Sequence, residues 1–150
     1  MTFAVALAML EREGRWLLQL RDDIEGIVHP GCWGLFGGHL DPGEGPQQAI
    51  LRELREEIGW GASTLPLWFE HHDDQLSAFY FRGPLTVPLT ELQLNEGQDM
   101  ALAGLEELRS GRIWSPRLQQ RRGLAPSLER AVRRLDRKTR QEKPRKASQG

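Results

Sequence analysis

Residues 37–60, GGHLDPGEGPQQAILRELREEIGW, decide the fold of this chain. The stretch opens on a glycine pair and closes on a helix-forming segment. Pro46 suits a first helical position because its missing N–H would be unpaired there, and Gly45 is an acceptable N-cap. Gly59 can adopt the left-handed conformation that ends a helix. The sequence therefore predicts a helix between Pro46 and Gly59, with an apolar stripe at helical spacing: Ile50, Leu51, Leu54 and Ile58.

The other face of this helix is strongly acidic. Glu53, Glu56 and Glu57 stand at i, i+3 and i+4, so their carboxylates converge on one side. Like charges at this spacing cost about 0.2–0.5 kcal/mol per pair, and Arg52 offsets only part of that through Glu56. A solvated helix face is the ordinary explanation of such a pattern. Clustered carboxylates are also what a hard divalent cation such as Mg²⁺ requires, and the complete spacing favours that hypothesis.

The fixed residues of this stretch resemble the Nudix box of the Nudix hydrolases. Five residues separate Gly38 from Glu44, and seven more separate Glu44 from an R-E-L-x-E-E-x-G sequence that a bulky apolar residue follows. The matching residues are Gly38, Glu44, Arg52, Glu53, Leu54, Glu56, Glu57, Gly59 and Trp60. Trp60 is the one unusual residue, since an aliphatic side chain is commoner there. The resemblance implies an α+β fold, a Nudix-type α/β/α sandwich with a mixed β-sheet between helices.

The resemblance also implies a reaction and its residues. Nudix hydrolases cleave a phosphoanhydride bond in a nucleoside diphosphate linked to another group, with Mg²⁺ or Mn²⁺ as cofactor. The metal-binding positions of the box correspond to three carboxylates and one backbone carbonyl: Glu53, Glu56, Glu57 and Gly37. Arg52 matches the arginine that orients these glutamates. Glu44 matches the first glutamate of the box, with a role in the metal shell or in positioning.

A further carboxylate is expected from outside the box. The segment Glu96-Gly97-Gln98 resembles the EGQ segment that supplies an additional metal-binding glutamate in MutT-like enzymes. The resemblance therefore implies a metal-binding and catalytic role for Glu96, against the simpler interpretation of a loop carboxylate. Glu53 and Glu96 both stay open as the general base.

The substrate is less well defined. A nucleoside triphosphate or similar small nucleotide is the first hypothesis. The alternatives are ADP-ribose or a nucleotide sugar, the 5′ end of an RNA, and a non-catalytic nucleotide-sensing domain. The base-recognising asparagine of MutT-like enzymes has no counterpart at residues 123–127, and the proline typical of ADP-ribose pyrophosphatases is missing beyond the box. Arg21 is a candidate substrate-binding residue, as are three aromatic residues that could equally be core: Trp33, Phe36 and Phe79.

Composition predicts one domain in this chain of 150 residues. We expect a Nudix domain over residues 1–138 and a basic, disordered tail over residues 139–150. From Asp136 onward there are six basic and two acidic residues, whereas the whole chain has a net charge of −1. A solubilising tail is the simplest interpretation of this segment, so we predict a small nucleotide and not a nucleic acid as the partner. A homodimer is left open.

Compartment and membrane association can also be predicted. Cys32 is the only cysteine, so no intramolecular disulfide can form, and a cytoplasmic protein is expected. The N-terminal apolar run has no basic residues before it and ends at Glu11, which argues against a signal peptide and a membrane span.

Hydrophobic patterning places the remaining elements. Strands are expected at residues 2–10, 16–20, 33–36, 64–70, 76–82, 87–94 and 100–103, and helices at residues 105–109 and 127–138. Residues 22–31 form a predicted loop. The histidine and aspartate pairs at residues 71–74 are interpreted as a solvated turn, because no second cluster at ligand spacing completes a metal site.

Overall fold

The structure is a computed structural model that describes residues 3–24, 26 and 29–142. Its strands are β1 (Phe3–Arg12), β2 (Arg15–Leu20), β3 (Trp33–Gly34), β4 (Phe36–His39), β5 (Leu67–His72), β6 (Leu76–Pro84), β7 (Asp99–Ala103), β8 (Arg112–Ser115) and β9 (Gln120–Gly123). Its helices are α1 (Pro46–Ile58), α2 (Leu105–Ser110) and α3 (Pro126–Glu142), and a 3₁₀ turn covers Leu89–Glu91.

A mixed sheet forms the middle layer. Its strands run in the order β3-β2-β1-β6-β5, with β4 paired to β1 and β7 paired to β2. β1 lies parallel to β6 and antiparallel to β2 and β4. The β1–β4 register sets Ala6 opposite Gly38 and Leu7 opposite Gly37, which brings the glycine pair onto the central strand.

Helices cover both faces of this sheet, because its side chains alternate between two hydrophobic cores. One core joins α1 to one face and includes Ala6, Ala8, Phe36, Ile50, Leu54 and Phe81. The other core joins α2 and α3 to the opposite face and includes Leu7, Met9, Trp33, Tyr80, Leu108 and Leu128. This arrangement is the α/β/α sandwich that the sequence predicted.

Helix α1 begins and ends where its sequence predicts. Gly45 is the N-cap in an extended conformation, and Pro46 is the first helical residue. Gly59 has φ 65°, and its N–H donates to the carbonyl of Arg55. Three residues of the predicted apolar stripe are fully buried, namely Ile50, Leu54 and Ile58, while Leu51 is half-buried.

Other elements differ from their predictions. The expected strand at residues 87–94 is wrong, since the chain forms only the 3₁₀ turn at Leu89–Glu91 there, after a proline that has no N–H for a sheet ladder. The expected strand at residues 33–36 is split into β3 and β4, and β4 includes the glycine pair. The β8–β9 hairpin was not predicted, because its strands are short and mostly polar.

The C-terminal helix is longer than expected. The backbone of α3 runs from Pro126 to Glu142, so the predicted boundary at residue 138 lies inside the helix. Most of the expected disordered tail, residues 143–150, lies outside the described residues, as does Thr2 of the first predicted strand. No helix within the described ranges is long and apolar enough to cross a membrane.

Candidate active site

The glycine pair allows α1 to lie directly against β4. Gly37 has φ 142°, and a Cβ there would collide with the carbonyl oxygen of Ala6. A Cβ on Gly38 would lie 2.7 Å from Oε1 of Glu53. The N–H of Gly37 donates to Oε2 of Glu57 at 3.2 Å. Gly37 therefore requires glycine and supplies a backbone donor to a box carboxylate, whereas a side chain at Gly38 would displace the carboxylate of Glu53.

Arg52 joins the glutamates of the box. It donates two hydrogen bonds to Glu44, from Nε to Oε2 at 2.8 Å and from Nη2 to Oε1 at 2.9 Å. Nη1 also reaches Glu53 at 3.0 Å and Glu56 at 3.2 Å. The bidentate contact with Arg52, together with the backbone N–H of Asp41, lowers the pKa of Glu44 to about 2. One guanidinium therefore contacts three box carboxylates, as expected for an orienting arginine.

Glu57 is the buried member of the set, with 4% of its surface exposed. Burial raises the pKa of this carboxyl to about 10, helped by a hydrogen bond with Glu53 and by the charges of Glu96 and Glu53. The N–H of Gly37 acts in the opposite direction. Without a nearby cation, the carboxyl groups of Glu57 and its neighbours are therefore not all ionised at neutral pH.

The loop that follows the 3₁₀ turn brings Glu96 close enough to Glu57 for its charge to act on that carboxyl. The backbone N–H of Asn95 donates to the carbonyl of Glu57 at 2.8 Å, and its side-chain amide donates to the carbonyl of Glu56 at 3.0 Å. The N–H of Gln93 donates to the carbonyl of Ile58 at 3.1 Å. These bonds satisfy the otherwise unpaired carbonyls at the end of α1, so the loop is attached to the box helix.

The other side of the same loop is fixed to β2. Gly97 has φ 102°, and a Cβ there would lie 2.8 Å from the carbonyl oxygen of Leu20. Gln98 donates from its backbone N–H to Leu20 at 2.8 Å and from its side chain to the carbonyl of Arg21 at 2.9 Å. The buried amide of Gln19 donates to the carbonyl of Glu96 at 3.0 Å. The backbone is therefore held on both sides of Glu96, by Asn95 before it and by Gly97 and Gln98 after it.

Sequence reasoning missed Gln19, Asn95 and Asp99. Asp99 is buried and accepts a hydrogen bond from the Ser115 hydroxyl at 2.7 Å and another from the N–H of Arg117 at 3.2 Å. It therefore holds the β8–β9 hairpin against β7. The only sequence signal for Gln19 and Asn95 was their proximity to predicted site residues, since their partners are distant along the chain.

Two of the expected substrate-binding aromatics are core residues instead, so that prediction is wrong for them. Trp33 has no exposed surface, and its indole N–H donates to the carbonyl of Ile113 at 2.9 Å. Phe36 is 1% exposed under α1. Neither ring is open to a nucleotide base, because helices cover both sheet faces. Phe79 is half-buried with its ring 5.7 Å from that of His72, and Arg21 is half-buried at the end of β2.

The carboxylates offer the donor chemistry of a divalent-cation site without a preassembled ligand sphere. Within the described residues, no three carboxylate, imidazole or thiol groups are arranged to hold one metal ion. Arg52 holds Glu53 and Glu56, while Glu57 accepts a hydrogen bond from Gly37. Anionic oxygen donors nonetheless converge beside the raised-pKa carboxyl of Glu57, which is the set that Mg²⁺ or Mn²⁺ prefers.

Comparison with known proteins gives the same family as the box. The NUDIX domain model matches residues 2–121. The nucleoside triphosphatase NudI of Escherichia coli O1:K1 / APEC is 40% identical over 55 residues, which are 37% of this chain and 38% of that protein. The chain thus covers well under half the length of the curated relatives that it matches.

Solved structures share the whole architecture. The MutT protein from Methanosarcina mazei Go1 superposes with a TM-score of 0.68 at 20% identity, over 92% of this chain and 95% of that one. The Escherichia coli ORF135 protein superposes with a TM-score of 0.58 at 27% identity, over 88% of this chain and 91% of that one. The first of these similarities establishes the fold alone.

Proposed function

This chain belongs to the NUDIX domain family, and from that premise we propose that it is a metal-dependent pyrophosphohydrolase of small nucleotides. The observation that carries the proposal is the attachment of the Glu96 loop to the C-terminal end of α1. Through that contact, a carboxylate from a distant part of the sequence acts on the buried box carboxyl of Glu57. A structural helix with a solvated acidic face would not need a second carboxylate in this position.

The residues that would hold the divalent cation are those of the box helix, the glycine pair and the loop: Glu53, Glu56, Glu57, the carbonyl of Gly37, and Glu96. Nudix hydrolases generally need a divalent metal, and we propose Mg²⁺ or Mn²⁺ here. When bound, the cation screens the charge of the polyphosphate, polarises the phosphoryl oxygens and lowers the pKa of water. Glu57 would become ionised beside it, because a neighbouring cation favours the charged form of a carboxyl.

The remaining residues of the site position these groups. Arg52 holds Glu53 and Glu56 and is itself held by the bidentate contact with Glu44. The base that accepts a proton from the attacking water is Glu53 or Glu96, the two carboxylates that act on Glu57.

A nucleoside triphosphate is the substrate we propose. NudI, which is 40% identical to this chain over 55 residues, is named a nucleoside triphosphatase. ADP-ribose and nucleotide sugars are the alternative small substrates. Arg21 and Phe79 stay as candidate substrate contacts, since neither is fully buried. The lone thiol of Cys32 agrees with action in a reducing cytoplasm.

A nucleotide panel tests this proposal. Canonical and oxidised nucleoside triphosphates, ADP-ribose and a nucleotide sugar are incubated with the protein in Mg²⁺, in Mn²⁺ and in chelator, and the released phosphate, pyrophosphate and nucleoside monophosphate are measured separately. We expect metal-dependent conversion of a triphosphate to a monophosphate and pyrophosphate. Preference for ADP-ribose would replace the substrate assignment, and failure to hydrolyse any substrate in either metal would contradict the proposed enzyme.

A further inference from the structure

A groove lined by arginines lies on the opposite side of the sheet from the box helix. Its walls come from α3 and β5, its volume is about 230 Å³, and its lining residues are Phe69, Glu70, His71, Arg130, Arg133 and Arg134. We call this the arginine groove. Phe69 belongs to the core under α3, whereas α1 packs on the other core. The groove is therefore separate from the carboxylate site.

Two guanidinium groups of the groove are held by aromatic side chains of the sheet. Nη1 of Arg130 donates to the Tyr80 hydroxyl at 3.1 Å, and that hydroxyl donates to the carbonyl of Ser127 at 2.8 Å. The guanidinium carbon of Arg134 lies 4.5 Å from the centre of the Phe69 ring, which stacks on Tyr80 at 4.2 Å. Such contacts orient a guanidinium without neutralising its charge.

The three arginines of the groove make no ion pair with a carboxylate in the part of the chain that the structure describes. Within the described ranges, none of the ion pairs involves Arg130, Arg133 or Arg134, in contrast to Arg52 and Arg109. Glu70 lines the groove, but Oε1 of its carboxylate lies 2.8 Å from Nε2 of His72. Nε2 of His71 lies 2.9 Å from Oδ2 of Asp73. The groove thus presents three arginines, two of them oriented by aromatic side chains, that have no carboxylate partner among the described residues.

We propose that the arginine groove binds the phosphodiester backbone of a single-stranded nucleic acid. Guanidinium groups match phosphate geometry, and positions i, i+3 and i+4 of a helix place side chains about 5–6 Å apart. Free pyrophosphate offers the same chemistry. A strand is the better match because the sequence that follows these arginines is also basic, with six basic and two acidic residues from Asp136 onward, and this proposal departs from the expectation that nucleic acid is not a partner. This proposal does not rest on the proposed hydrolase activity.

Fluorescence anisotropy with a labelled 12-nucleotide RNA tests it, using the full chain and a series of salt concentrations. The variant is Arg133→Gln/Arg134→Gln. The matched control is Arg112→Gln/Arg121→Gln, which removes the same charge from two exposed residues of the β8–β9 hairpin. We expect the groove variant to bind at least tenfold more weakly at low salt, with a salt slope shallower by about 1.4 for two lost phosphate contacts. The control should stay within about twofold of wild type.

Three outcomes would overturn the proposal. They are no RNA binding by the wild-type chain, equal losses in both double variants, and displacement of RNA by inorganic pyrophosphate at an equal phosphate concentration. The last result would assign the groove to a small anion. Arg133→Gln alone guards against misfolding, because Arg133 is exposed, and Arg133→Lys/Arg134→Lys should restore much of the binding. Hydrolysis of a free triphosphate should not change in any of these variants.

Discussion

The acidic end of α1 and the basic face of α3 lie on opposite sides of one sheet and concentrate charges of opposite sign. Arg52 donates hydrogen bonds to two carboxylates of α1, and Glu96 adds a further carboxylate from a loop that is distant in sequence. The arginines of α3 are oriented by Tyr80 and Phe69. The first cluster concentrates like charge beyond what the protein compensates, which indicates a cation. The second leaves positive charge uncompensated, which indicates an anion.

The largest expected effect comes from removing the distant carboxylate. Glu96→Gln keeps the size of the side chain and the backbone bond from Gln19, but it removes the charge. We expect turnover of the triphosphate to fall by about 10²–10⁴, the usual loss for a positioned acid–base group. Steady-state kinetics in Mg²⁺ gives the measurement.

The control for this variant is Glu91→Gln, an exposed glutamate on the 3₁₀ turn of the same connection. It should retain wild-type turnover. Asp99 would be a poor control, because its bonds to Ser115 and Arg117 make its loss a structural change. Equal turnover in Glu96→Gln and Glu91→Gln would show that the loop carboxylate takes no part in the reaction.

The second largest effect is expected from changing Glu57, the buried carboxyl of the acidic cluster. Glu57→Gln should weaken Mg²⁺ binding and reduce turnover at least tenfold, the scale of a lost metal-site contact. Isothermal titration with Mg²⁺ and a rate measurement test both parts. An unchanged titration together with an unchanged rate would remove Glu57 from the metal site.

A smaller effect concerns pH without metal. The folded pKa of Glu57, about 10, lies above the ordinary glutamate pKa of 4.5, so the neutral carboxyl stabilises the fold below about pH 4.5. This contribution declines as the pH rises toward 10, because the unfolded chain releases the proton first. In chelator, the melting temperature of wild type should therefore fall relative to Glu57→Gln between pH 5 and 9. Parallel melting curves across that range would contradict the raised pKa.

The smallest expected effect is that of shortening the chain after Glu142. The removed segment carries basic residues and contributes to neither the box nor the Glu96 loop. Turnover of a free triphosphate should stay within about twofold of wild type, because neither the box nor the EGQ match extends into this segment. A much larger loss would show that the segment after Glu142 affects the carboxylate site, so that the acidic and basic regions do not act independently.

Local sequence was a good guide wherever structure depends on neighbouring residues. Helix α1 could be delimited because its cap, its first proline and its terminal glycine all lie within the segment. The strand expected near Pro88 failed because a pairing partner, and not hydrophobicity alone, decides whether an extended segment joins a sheet. The β8–β9 hairpin escaped prediction for a related reason, since a buried aspartate from β7 holds it.

For the aromatic residues, the sequence left two alternatives that only packing could separate. Trp33 and Phe36 were equally suited to stacking on a base and to filling the core. Their burial follows from their positions in β3 and β4, under α3 and α1 respectively. Phe79 stays a candidate contact because it is only half-buried, with its ring 5.7 Å from that of His72.

The family, the α/β/α fold and the acidic side of α1 could be predicted from local pattern, since residues three and four apart on a helix must share a face. Two features became visible only in the folded chain: Asn95 attaches the Glu96 loop to the end of α1, and the arginines of α3 contact aromatic side chains instead of carboxylates. These contacts join residues far apart in the chain. They depend on the order of strands in the sheet, which no local pattern contains.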